Sequence, residues 1–77
     1  MLEALLEALR TEFPTLDWIS PPDAWRVHSK GSAYRVRGFA YARPGLLLQF
    51  DARLRQEGGL WRVERVDLVI RNRVWNS

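Results

Sequence analysis

Seventy-seven residues without a cysteine make a single domain, near the lower limit at which one apolar core suffices. They exclude disulfides, thiol catalysis, cysteine-ligated zinc and iron–sulfur chemistry, so four tryptophans (Trp18, Trp25, Trp61, Trp75) are the expected substitute for cross-links. The net charge of +3 is unevenly spread: residues 1–23 hold five acids against one arginine, and residues 24–77 hold eleven bases against four acids.

Leu2, Leu5, Leu6, Leu9 and Phe13 recur at helical spacing, opposite Glu3, Glu7 and Arg10, which predicts an amphipathic helix over residues 2–13. Pro14 ends it by disfavouring the helical conformation at Phe13. The following stretch to Asp23 contains Pro21-Pro22, whose nitrogens cannot join a ladder, so it reads as a connection. Its Leu16, Trp18 and Ile19 are expected to pack under the edge of a sheet. From Ala24 the apolar period changes to two, and strands are expected at 24–29, 33–41, 46–55 and 60–70. Lys30-Gly31-Ser32, Ala42-Arg43-Pro44-Gly45 and Gln56-Glu57-Gly58-Gly59 separate them, each with a glycine able to take positive φ. Pro44-Gly45 fits the central positions of a type II turn. Short turns between period-two runs predict hairpins, so the fold class is α+β: one N-terminal helix on a four-stranded antiparallel meander.

Strand parity assigns the faces. In the third predicted strand Leu46, Leu48, Phe50, Ala52 and Leu54 form the inward side, and in the second Tyr34, Val36, Gly38 and Ala40 do so. The fourth is irregular: Trp61 and Val63 share one parity, and Val66, Leu68 and Ile70 share the other. A one-residue slip inverts every side chain, so a β-bulge is expected near Glu64-Arg65. The chain contains no apolar run near the roughly 18–20 residues that span a bilayer. Glu3 and Glu7 stand where a signal peptide would carry basic residues, so a cytoplasmic location and no membrane contact are expected.

Little in the sequence points to catalysis. His28, the single histidine, sits beside Arg26 without converging ligands, so no metal and no cofactor are expected. Asp51 and Asp67 each have arginine neighbours and read as surface ion pairs. Gly58-Gly59 belongs to a hairpin and does not precede a helix, so it is a turn and not a phosphate loop. The positive pattern is the outward sheet face, where Arg35, Arg37, Arg53, Arg55 and Arg62 interleave with Phe39 and Tyr41. Arginine binds phosphates bidentately, and aromatic rings on a sheet offer stacking platforms for single strands. The same arginines also protect a sheet against edge aggregation. At the C-terminus Val74 and Trp75 are interface candidates, and a homodimer is expected for a chain short of core.

Two resemblances accompany these readings. Leu48-Gln49-Phe50-Asp51-Ala52-Arg53-Leu54-Arg55, followed by Gly58-Gly59-Leu60-Trp61-Arg62-Val63, resembles the terminal hairpin of cystatin-like and nuclear-transport-factor-like domains. That resemblance implies one helix wrapped by an antiparallel sheet, in families of which many members only bind or dimerise. Ser32-Ala33-Tyr34-Arg35-Val36-Arg37 and Arg71-Asn72-Arg73-Val74-Trp75 resemble segments of RelE-type ribosome-dependent RNases, whose usual first strand and second helix are absent here. This second resemblance implies phosphate contacts by Arg35, Arg37 and Arg73. The function expected first is a non-catalytic binding or regulatory module engaging a macromolecule through the basic face or the C-terminal tail. RNA or single-stranded DNA binding comes second, and a toxin-type RNase third.

Overall fold

The computed structural model describes residues 1–73, and side chains through Arg71. The elements run α1 (Leu2–Glu12), β1 (Leu16–Ile19), a 3-10 turn (Pro22–Ala24), β2 (Arg26–Lys30), β3 (Ala33–Ala42), β4 (Leu46–Glu57) and β5 (Leu60–Arg73). Helix and antiparallel sheet form the expected α+β arrangement, with five strands in place of four. The order is β1-β3-β4-β5, and β2 also pairs with β3.

The additional strand corrects the reading of residues 16–19 as packing beneath the sheet edge: they are the edge. β1 pairs with the end of β3 (Leu16↔Ala42, Trp18↔Tyr41, Ile19↔Ala40), and β2 pairs with its start, from Arg26↔Arg37 to Lys30↔Ala33. The two strands form one broken edge along β3. Pro21 and Pro22 break it because they lack the N–H a ladder needs, and the chain detours through the 3-10 turn. Ser20 patches the break. Its backbone N–H donates to the Phe39 carbonyl (2.8 Å), and its Oγ accepts from the Phe39 N–H (3.0 Å). Its own carbonyl accepts from Trp25 Nε1 at 2.8 Å. Ser20→Ala removes the acceptor and leaves the Phe39 N–H unpaired at a partly buried junction. A loss of about 1–2 kcal/mol in urea unfolding is expected, and an unchanged midpoint would mean that water serves Phe39 equally well.

The detour also drives Trp25 inward. It is buried and meets Phe50 edge-on, with ring centroids 5.5 Å apart. Both rings lie over Gly38, the cross-strand partner of Phe50. A Cβ at Gly38 would stand 2.5 Å from Phe50 Cζ and 2.8 Å from Trp25 Cδ1, so the glycine makes room for this packing. Around the pair lie Leu5 and Leu9 of α1 with Val36, Ala52 and Leu54. The helix places Leu5 and Leu9 one turn apart on its buried face, and each such side chain contributes about 1.5–3 kcal/mol when withdrawn from water. Glu3 in the first turn and Arg10 in the last complement the helix dipole. The helix ends at Phe13, whose N–H reaches back to the Leu9 carbonyl (2.9 Å) before Pro14.

The tryptophans do not all serve as core. Trp25 is buried, Trp61 is half-buried against Tyr34 (centroids 4.7 Å), Trp18 is 50% exposed, and Trp75 lies outside the described residues. The expected bulge is present: Arg53 pairs with Arg65 and Leu54 with Val63, which leaves Glu64 as the extra residue. Trp61 and Val63 thereby share the inner face with Val66 and Leu68, and all four pack against the core. A second shift leaves Arg71 over between Ile70 and Asn72. Gly31, Gly58 and Gly59 take positive φ in two-residue hairpin loops. Gly45 takes a positive φ of 77° in the three-residue loop between Ala42 and Leu46, which holds a cis Arg43–Pro44 bond and is not shown to be the expected type II turn.

Candidate nucleic-acid interface

The outer face of the sheet, opposite α1, follows from the register. Reading across β2, β3, β4 and β5, one row is Arg26, Arg37, Asp51 and Asp67. The next, toward the β4–β5 turn, is His28, Arg35, Arg53 and Arg65, and beyond it Arg55 stands opposite Arg62. In the other direction lie Phe39, Gln49 and Val69, and then Tyr41 beside Trp18 and Leu47. The structure thus brings Arg35, Arg37, Arg53, Arg55 and Arg62 onto one face with Phe39 and Tyr41. That face is basic at one end and aromatic at the other.

The carboxylates on this face are occupied. Arg35 grips Asp51 through one guanidinium edge, with Nε at 3.0 and 3.2 Å and Nη2 at 2.6 Å. Arg65 holds Asp67 at 2.9 Å, and Arg55 reaches Glu64, the bulge residue, at 3.5 Å. Asp51 and Asp67 are direct cross-strand neighbours, yet each is neutralised by its own arginine. Arg26, Arg37, Arg53 and Arg62 have no carboxylate partner among the described residues. Like charges directly opposite one another on a sheet repel, and this sheet sets Arg26 against Arg37, Arg35 against Arg53, Arg53 against Arg65, and Arg55 against Arg62.

The hydrogen bonds from Arg35 hold the Asp51 carboxyl below its ordinary pKa against the opposing effect of partial burial, and the charges of Arg35, Arg37 and Arg53 add to the lowering. Arg35 is correspondingly held more firmly protonated by Asp51. A depressed carboxyl pKa stabilises the fold fully above the unfolded-state value and loses that contribution as pH falls through the folded value. Asp51→Asn is therefore expected to flatten the loss of stability below about pH 4. Thermal unfolding across that range checks it, and an acid limb as steep as that of the parent would deny Asp51 this role.

Other sequence candidates are not gathered. Arg73 pairs with Leu46, seven β4 positions or roughly 23 Å from the partner of Arg35. The structure therefore does not bring Arg35, Arg37 and Arg73 together. Val74 and Trp75 lie outside the described residues. Among the described residues no group of three or more His, Asp or Glu side chains could hold a metal ion, and no helix is long and apolar enough to cross a membrane. Arg26, Gln49, Arg65 and Trp18 were not among the candidates. Alternation alone puts Arg26 and Gln49 on the outer side, whereas the places of Trp18 and Arg65 became visible only when residues 16–19 proved to be a strand and the bulge restored Arg65 to the outer parity.

No protein-family model, curated protein or solved structure matches this chain.

Proposed function

We propose that this chain is a non-catalytic binding module whose outer sheet face takes single-stranded RNA or DNA. One observation carries the reading: arginines stand opposite one another in neighbouring strands, four of them (Arg26, Arg37, Arg53, Arg62) without a carboxylate partner among the described residues, beside the exposed Phe39 and Trp18. A polyanion relieves their repulsion, and unpaired bases supply π-faces for Phe39 and Tyr41. Phe39 is 43% exposed. The acidic side chains Glu3, Glu7 and Glu12 are exposed on the helix, across the sheet from this face, so the charge distribution orients an approaching polyanion toward the arginines.

Titration of labelled single-stranded RNA and DNA, followed by fluorescence anisotropy at two salt concentrations, tests the reading. Binding that weakens by about 0.7 log units per log unit of salt for each phosphate engaged is expected. Absence of binding at low salt would return the arginines to ordinary surface.

Self-association is the second reading, favoured by the position of β5 at the margin of the sheet. Val69 and Ile70, on its two faces, are 54% and 58% exposed. A two-fold pairing with Val66 opposite its own copy would set Arg65 against Asp67 of the second chain. Sedimentation of the same samples reports it: a monomer at high concentration removes this reading and leaves the first intact.

A further inference from the structure

The broken edge of the sheet leaves a recess on the outer face. β1 ends opposite Ala40 and β2 begins opposite Arg37, so Gly38 and Phe39 have no strand beside them on that side. The detour carries Trp25 to the inner side, where it packs on Phe50 and cannot fill the outer gap. What remains is a cavity of about 220 Å³ lined by Ala24, Arg26, Arg37, Gly38, Phe39 and Gln49. Pockets for drug-sized ligands measure roughly 300–1,000 Å³, so this smaller space suits one planar ring system.

Resting on the function proposed above, we propose that this recess is a subsite for one nucleobase and its adjoining phosphate. Phe39 supplies an aromatic wall for stacking, and Gln49 carries both a hydrogen-bond donor and an acceptor for a base edge. Arg26 and Arg37 are opposed across the β2–β3 ladder without a carboxylate partner among the described residues. Together they provide the charge that a phosphate beside the base requires.

The test compares a single-stranded oligodeoxythymidylate of about ten nucleotides, within the usual span of one binding face, with an abasic oligomer of the same backbone length. Both are titrated at low salt against the full chain and against Ala24→Phe, which fills the recess from an exposed position. The parent protein is expected to bind the abasic strand about tenfold more weakly. Ala24→Phe should lower thymidylate affinity to the abasic level and leave abasic binding unchanged. Phe39→Leu, which keeps an apolar side chain but removes the π-face, should act in the same direction. Equal binding of the two oligomers by the parent, or indifference to Ala24→Phe, overturns the subsite while the arginine face stands. Failure of both oligomers to bind the parent overturns the broader reading as well.

Discussion

Phe50→Ala is expected to remove about 3–5 kcal/mol of stability, the range for deleting a buried aromatic ring. Phe50 is fully buried, meets Trp25 edge-on and fills the space above Gly38. For a chain of this length total stability is roughly 4–12 kcal/mol, so the substitution should remove between about a quarter and all of it. Urea unfolding monitored by tryptophan fluorescence measures the loss. A cost under about 1 kcal/mol would mean that the sheet and helix hold without this contact. The reciprocal change separates shape from mere apolarity. Gly38→Ala adds one methyl group where Phe50 and Trp25 already lie, and overpacking of that kind costs about 1–3 kcal/mol. Combining it with Phe50→Leu should recover part of the loss, because the smaller side chain vacates the clash.

Reversing two arginines on the outer face is expected to have the largest effect on binding. Arg37→Glu with Arg53→Glu changes the face by four charges at positions that hold no carboxylate among the described residues. Charge-assisted hydrogen bonds are worth about 1.5–3 kcal/mol each when unscreened. With solvent screening, a loss of about ten- to a hundredfold in oligonucleotide affinity at low salt is expected. The salt slope should fall by about 1.4 for two lost single-strand phosphate contacts. Arg10→Glu, on the exposed side of α1, serves as the control and should leave binding nearly unchanged. If the control and the reversed face weaken binding equally per charge, net charge governs association and the arrangement of arginines on the sheet does not.

Most of the architecture was legible along the chain because each element obeys a local rule. The leucine stripe makes the helix, the period of two makes the strands, and the turn glycines take the positive φ that their loops require. Even the bulge at Glu64 could be anticipated, since apolar parity changes between Val63 and Val66 and only an inserted residue keeps both on one face. β1 was not legible. It has four residues, Asp17 is skipped in its pairing, and the prolines that follow read as a break without showing that a strand precedes them.

The grouping of Arg35, Arg37, Arg53, Arg55, Phe39 and Tyr41 likewise follows from alternation alone, as does the separation of an acidic helix from a basic sheet. Which arginines are neutralised does not. Asp51 sits opposite Arg37 in the ladder but is held by Arg35, and that choice belongs to side-chain geometry between strands. The roles of Ser20 and Gly38 have the same origin: each depends on a partner 19 or 12 positions away, Phe39 for the serine and Phe50 for the glycine. Alternation along one strand assigns a side chain to a face. It carries no information about what the neighbouring strand sets beside that side chain, and the recess between β1 and β2 exists only because two separate segments stop short of each other on a common neighbour.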